Sequence, residues 1–370
     1  MRALRLVLIG SRGIPARYGG YETLMEELST RLAQQGHRVT VYCRRHYTPP
    51  DLRDYRGVEL VVLPTIHTKH LDTPVHTLLS CLHAAQRPFD AALVVNSANA
   101  MFVPLLRAAE IPVALHVDGI EHQRAKWGAL GRLVYRLSER WATRVPDVLI
   151  TDAEVVRSYF RKKWDTDSVV ITYGVEPSQE PPGDVMASLG LESRRFFLYV
   201  SRFEPENNPH RVAEEYRQVP SNLPLVMVGS APYAKDFIRS FTENADPRII
   251  FPGPIYGRGY RELLSNALAY IHATEVGGTH PALVEAMGYG NCVVVNDTPE
   301  NREVAGNAAI YFRAGDPGAL CSRVGDIVND RDQVLKLGAT ARDRAKELFS
   351  WQQVVEDYSA LFAGLARSRS

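Results

Sequence analysis

What the chain lacks narrows its class first. In 370 residues it holds four cysteines, Cys43, Cys81, Cys292 and Cys321, which stand far apart with no C-x-x-C pair and no histidine spacing suited to zinc. That excludes a disulfide framework or a zinc-finger module and points to reduced, packed thiols in a cytoplasmic protein. Neither sign of charge is in excess: 43 Lys and Arg against 42 Asp and Glu leave a net charge of +1, so nothing global asks for a nucleic-acid partner. No apolar run approaches the ~20 residues a bilayer-spanning helix needs, so any membrane contact is expected to be peripheral, at the inner face of the membrane. The short apolar run in MRALRLVLIGSRG passes directly into a glycine loop and a helix, and reads as a first strand and not as a signal peptide.

What is present is a globular composition, 45% hydrophobic and 23% charged, with length enough for two domains. The stretch IHATEVGGTHPALVEAMGYGNCVVV, residues 271 to 295, predicts strand, glycine loop, helix and strand. Pro281 opens the helix, Glu285 lies on it, and it stops near Gly288 and Gly290. A helix N-terminus at the mouth of a parallel sheet favours anions, because its free N–H groups and dipole meet negative charge there; a tight turn that merely joins two strands is the plainer alternative.

The same alternation runs through the chain. Strands are expected at residues 4–9, 38–43, 58–63, 91–95, 113–117 and 148–151, with helices between most of them, one of which places Leu24, Met25, Leu28 and Leu32 on one face and ends at Gly36. The pattern breaks at TYGVEPSQEPPGD, which reads as a linker. It restarts with strands expected at 196–200, 225–228, 249–251, 268–271, 292–295 and 308–312. The fold class predicted is therefore α/β, two doubly wound parallel-sheet domains facing across a cleft, with 1–174 as the first and 175–350 as the second. An amphipathic helix is expected from Trp351 to Leu365, with the final ARSRS frayed.

Several motifs carry candidate chemistry. The loop from Gly10 to Gly20 lacks G-x-G-x-x-G spacing, and the second strand ends in Arg44 and Arg45 where NAD would want an acidic residue; both count against a dehydrogenase, although an arginine there suits NADP. Gly19 and Gly20, just before a helix, are placed either to offer amides to a phosphate or to make a simple turn. His116 and Asp118 close the strand VALHV, at the end where an open α/β sheet holds its ligands, though a lone histidine also serves as a core residue. Arg202 follows a strand, with Asn207 and Asn208 ahead of a helix; it suits a diphosphate, or a surface pair with Glu204 or Glu206. Arg132, Arg136, Arg140 and Arg144 recur every four residues beside Leu133, Leu137 and Trp141. Such a helix fits anionic headgroups, or a solvated face with Glu139 as partner.

Taken in order, GSRGIPARYGGYETLMEEL, HVDGIEHQRAKW, SRFEPENN and VGGTHPALVEAMGYG resemble the retaining glycosyltransferases of family 4, and more closely their bacterial rhamnosyltransferase branch, whose N-terminal part is catalogued as a domain of unknown function. The resemblance covers nearly the whole chain, including FSWQQVVEDY. It implies a GT-B fold, with the second domain binding a nucleotide-sugar donor, the first facing the acceptor, and a C-terminal helix, 351–370, crossing back to the first. Carried over, Gly19 and Gly20 meet the donor diphosphate, His116 sits near the donor sugar with Asp118 orienting sugar and acceptor, Arg202 binds the diphosphate, Glu285 the ribose, and Ile255 flanks the base. Gly277, Gly278 and Thr279 lie at the diphosphate. Two positions depart from the wider family: Gly277 stands where it has a glutamate, and Asn207 where it has a lysine.

The expected activity is transfer of rhamnose or another deoxyhexose from a dTDP- or UDP-linked donor to a glycan, lipid-linked or small-molecule acceptor. Anomeric configuration is retained and no metal or cofactor is required. The alternatives are a sugar-nucleotide epimerase or hydrolase on the same fold, and a nucleotide-sugar-binding protein without catalysis. Arg132, Arg136 and Arg140 are assigned to the acceptor or membrane side.

Overall fold

The structure, a computed structural model, describes residues 2–17, 19–68, 70–231 and 233–367. It divides into two compact units. The first comprises residues up to Gln123, Trp127–Tyr173 and the chain from Trp351 onward; the second comprises Arg124–Lys126 and Gly174–Ser350.

The first unit is built on eight strands: β1 (Arg5–Ile9), β2 (Arg38–Arg44), β3 (Asp54–Tyr55), β4 (Val58–Leu63), β5 (Ala91–Val95), β6 (Val113–Val117), β7 (Val148–Thr151) and β8 (Val169–Val170). Their order is β3-β4-β2-β1-β5-β6-β7-β8, and every pairing is parallel except β3 with β4. Side chains alternate across the sheet as a period of two demands. Leu6 and Leu8 of β1 join one buried cluster, Val7 and Ile9 the other. The first cluster takes Leu24, Met25, Leu28 and Leu32 from the helix Gly20–Gln34. That helix ends as the sequence predicts, with Gly36 at φ +90° just past its last turn.

The same cluster is completed from the far end of the chain. The helix Trp351–Arg367 inserts Trp351, Val354, Val355, Tyr358, Phe362 and Leu365 beside those leucines. The expectation of a frayed ARSRS needs correcting at its start, since Ala366 and Arg367 are helical; residues 368–370 lie outside the described residues.

The second unit carries β9 (Phe197–Arg202), β10 (Leu225–Ser230), β11 (Ile249–Gly253), β12 (Ala269–His272), β13 (Cys292–Asn296) and β14 (Ala309–Phe312). They form one parallel sheet in the order β11-β10-β9-β12-β13-β14. Both faces are buried: Phe196 and Leu198 pack on one side, Phe197 and Tyr199 on the other. The two-residue strands β3 and β8 are the strands the periodicity missed, being too short to show one.

Candidate functional site

In an open parallel sheet the ligand crevice forms where the strand order reverses, because the loops leaving two neighbouring strands there diverge to opposite faces. In the second unit that point lies between β9 and β12. The two loops that leave it contain SRFEPENN and TEVGGTH. They are tied together: Asn208 Nδ2 donates to Ala273 O and to Glu275 Oε1, both at 2.9 Å, and the Glu275 N–H donates to Glu206 O at 2.9 Å.

Arg202, the last residue of β9, keeps about a third of its side chain exposed, with Nη2 3.8 Å from Glu204 Oε2. Lys126 Nζ lies 3.3 Å from the same carboxylate, and Arg124 Nη1 4.0 Å from Glu206. Burial pushes the Glu204 carboxyl up, but Arg202, Lys126 and Arg124 outweigh it and hold the group at about 2. Glu206 moves the other way, raised by burial and then by the charge of Glu204. Asn207 does not reach outward; its amide donates to the Arg202 carbonyl at 2.6 Å and braces the loop. An arginine end held beside the half-buried Glu204 is oriented, and a guanidinium binds an anion through charge-assisted hydrogen bonds.

The helix Pro281–Gly288 starts at the second loop, with His280 at its N-cap and proline in its first turn. Glu285 faces Tyr260, whose hydroxyl donates to Oε2 at 2.6 Å; burial, then the Glu285 charge, pushes the Tyr260 hydroxyl well above its usual value. Ile255 is half-buried against the core. Gly277, Gly278 and Thr279 are buried. Gly277 has a steric reason to be glycine: a Cβ there would stand 2.2 Å from Cε1 of His280 and 2.9 Å from its Nε2. The imidazole fills the space a side chain at 277 would take. It lies 4.9 Å from the His272 ring, and burial, then His272, Arg124 and Arg202, depress its basicity well below the usual range, so the ring is neutral. Glu275, two residues before Gly277, is exposed and accepts from Asn208 through Oε1.

The first unit has a different centre. At the end of β6, His116 is fully buried, its Nδ1 2.6 Å from the Tyr358 hydroxyl of the C-terminal helix, and burial lowers it to about 3. Its Nε2 and the Tyr173 hydroxyl are buried with no hydrogen-bond partner among the described residues. Such an atom costs roughly 1–3 kcal/mol, and a ligand hydroxyl is the kind of group that would satisfy it. Asp118 accepts from Tyr21 Oη at 2.7 Å, while its own N–H donates to that oxygen at 3.2 Å. Gly19 is the extended N-cap of the helix that Gly20 begins, and Gly10 sits where a Cβ would stand 2.6 Å from the Val95 carbonyl, at φ +111°. The first turn of that helix already faces a carboxylate: Glu22 is buried and accepts from the Arg12 N–H at 2.9 Å.

Arg132, Arg136, Arg140 and Arg144 are all exposed on or just after the helix Ala129–Ala142. Glu139 is not their partner on a solvated face. It is fully buried and bound by His122 at 2.5 Å and Tyr159 at 2.9 Å. His46, His67 and Asp72 form a group with donor atoms within 4.8 Å of one another, the kind that can hold a cation, but Asp72 Oδ2 also receives Arg44 Nη1 at 2.6 Å. Sequence reasoning missed Tyr260, Tyr358 and Lys126 as partners of the predicted residues. His280 had a local signal, three residues from the unusual Gly277, and with Thr279 was a candidate to replace the side chain missing there.

Comparison with known proteins places these features. Residues 4–176 match a family model described as a domain of unknown function, DUF1972, and residues 185–344 match glycosyl transferases group 1. The chain is 22% identical to O-antigen chain mannosyltransferase C of Escherichia coli, over 99% of this chain and 100% of that one. It superposes on sucrose-phosphate synthase from Thermosynechococcus elongatus with a TM-score of 0.85 at 16% identity, covering 99% of this chain and 100% of that one. On the Anabaena protein HepE in complex with UDP-glucose the TM-score is 0.80 at 15% identity, covering 97% and 99%. The fold is GT-B, and the group 1 domain together with these neighbours supports a GT-B glycosyltransferase.

Proposed function

From a GT-B fold whose second unit carries a group 1 glycosyltransferase domain, we propose a retaining transferase. It moves rhamnose or another deoxyhexose from a dTDP- or UDP-linked donor to a glycan or lipid-linked acceptor. The observation that carries this reading is the convergence, at the β9/β12 reversal, of Arg202, the Gly277–His280 loop and Glu285 on its Tyr260 support. In this mechanism Arg202 and the N–H groups at the head of the helix Pro281–Gly288 stabilise the charge that develops on the leaving diphosphate. Glu285, oriented by Tyr260, accepts from the ribose hydroxyls. The diphosphate oxygen that departs takes the acceptor proton on the same face, so configuration is retained with no carboxylate nucleophile. His116, neutral because it is buried, offers Nε2 to a sugar hydroxyl, and Asp118 orients the sugar and acceptor. In this reading Arg202 and the N–H groups at the head of the helix carry the charge stabilisation, and no step is assigned to a metal.

The choice of deoxyhexose rests on the sequence resemblance and on Gly277. With His280 in the place of a longer acidic side chain, the wall beside the sugar is neutral and compact, which suits a sugar lacking a hydroxyl. Thermal-shift screening of nucleotide sugars, followed by incubation of the best donor with and without a lipid-linked or oligosaccharide acceptor, tests it. Acceptor-dependent release of the nucleoside diphosphate with a retained anomeric signal in NMR is expected. Turnover independent of acceptor would favour an epimerase or hydrolase, and binding without any turnover a non-catalytic protein.

A further inference from the structure

The helix Ala129–Ala142 is turned outward. Its buried residues are Ser138, Glu139 and Ala142, while Leu130 is 76% exposed, Leu133 53%, Leu137 52% and Trp141 48%. Fifteen large hydrophobic residues are exposed among the described residues, and with Val134 five of them lie on this one helix. A helix of a soluble domain ordinarily buries its apolar stripe and exposes its polar one. Here the inward anchor is a carboxylate: Glu139 is held by His122, Tyr159 and Lys163. At ~100° per residue the buried residues, the apolar stripe and Arg132, Arg136 and Arg140 fall on three faces about 120° apart.

We propose that this helix docks the protein on an anionic lipid surface, with Leu130, Leu133, Leu137 and Trp141 entering the headgroup and acyl boundary. Arg132, Arg136, Arg140 and Arg144 pair with the headgroups from one flank. The occupant is argued from chemistry. An apolar stripe by itself fits another protein equally well, but a stripe bordered along its length by exposed arginines, with the helix's one carboxylate withdrawn into the core, complements a surface that is apolar below and negative above. No helix among the described residues is long and apolar enough to cross a membrane, so the contact is interfacial. The vesicle readout below needs no sugar donor, and the proposal therefore stands or fails apart from the transfer reading.

The test is co-sedimentation of the full chain with phosphatidylcholine vesicles that contain or lack phosphatidylglycerol, at low and high salt. Binding is expected only with phosphatidylglycerol, weakening as salt screens the headgroups, with roughly a fivefold loss for each arginine replaced by glutamine. Leu133→Ser/Leu137→Ser is expected to abolish binding while the thermal midpoint stays unchanged, both sites being exposed. A measurement on the unaltered surface backs the variants: brominated phosphatidylglycerol should quench a component of the tryptophan fluorescence that is missing in Trp141→Phe. Equal binding to neutral vesicles would overturn the proposal, as would no binding to either. So would a dimer, seen by light scattering and dissolved by Leu133→Ser/Leu137→Ser, in a protein that does not bind vesicles.

Discussion

The two units solve the same topological problem with opposite electrostatics. In each, a parallel sheet reverses its strand order, and loops at the carboxyl ends of the strands gather the polar side chains. In the first unit the gathering at β6 centres on a neutral imidazole, His116 without its proton against the Tyr358 hydroxyl, with one carboxylate, Asp118, held by Tyr21. In the second it is ionic, with Arg202 and Lys126 against Glu204 and Arg124 against Glu206. A neutral, fully buried imidazole can recognise hydroxyls but can do little for a developing charge. An arginine on ionised supports does the reverse. Under the proposed reading, a charged group is what Arg202 is suited to hold and a hydroxyl is what His116 is suited to hold.

That contrast can be broken most severely at the charged end. Replacing Arg202 or Glu285 by alanine is expected to lower transfer by roughly 10²–10³-fold while the far-ultraviolet spectrum and thermal midpoint hold. Near-wild-type turnover in both would remove the site from these loops. A second break concerns Gly277. Gly277→Glu drives its side chain into the His280 ring and is expected to cost about 1–3 kcal/mol of stability and most of the activity. In Gly277→Glu/His280→Ala the stability should return, because the ring that occupied the space is gone. If the double variant is no more stable than the single one in urea, His280 is not what excludes a side chain at 277.

At the neutral end the expected effects are smaller. Tyr358→Phe strips His116 Nδ1 of its partner in full burial and should lower stability by about 1–3 kcal/mol. An unchanged denaturation midpoint would mean that the ring turns to find another partner. A further test, back at the charged end, sharpens the comparison through pH. Because the folded protein holds Glu204 at about 2 against an ordinary 4.5, its ionised form contributes stability that is present above 4.5 and is lost as the pH falls through about 2. Glu204→Gln removes that acid-sensitive contribution, so the stability difference between wild type and variant should shrink as the pH is lowered across this window. A difference that stays constant would show that the carboxylate is not held low by its cations.

Much of the fold was legible because buried parallel strands write themselves as short apolar runs. Val113–Val117 and Cys292–Asn296 are recognisable on that ground alone, as is a helix that begins at Pro281. The loops that carry Arg202 and Gly277 were legible as candidates, yet their linkage through Asn208 was not, since a contact across 65 residues leaves no periodic trace. The amide of Asn207, which stands where the wider family has a lysine, braces the Arg202 carbonyl, a contact that no pattern in the sequence announces. The Tyr358 contact to His116 spans 242 residues. The burial of Glu139 was hidden for a similar reason: its three partners come from elsewhere in the chain, so composition on the helix itself suggested a solvated acid.

The helix Trp351–Arg367 has a consequence for the order in which the molecule can be made. The core of the first unit, and the hydroxyl on which His116 leans, are supplied by residues that follow the whole second unit in the chain. On the ribosome, the early half must wait with an apolar face open until the late half has emerged, and any fragment cut at residue 174 inherits that open face permanently. The first unit is continuous in space but not in time.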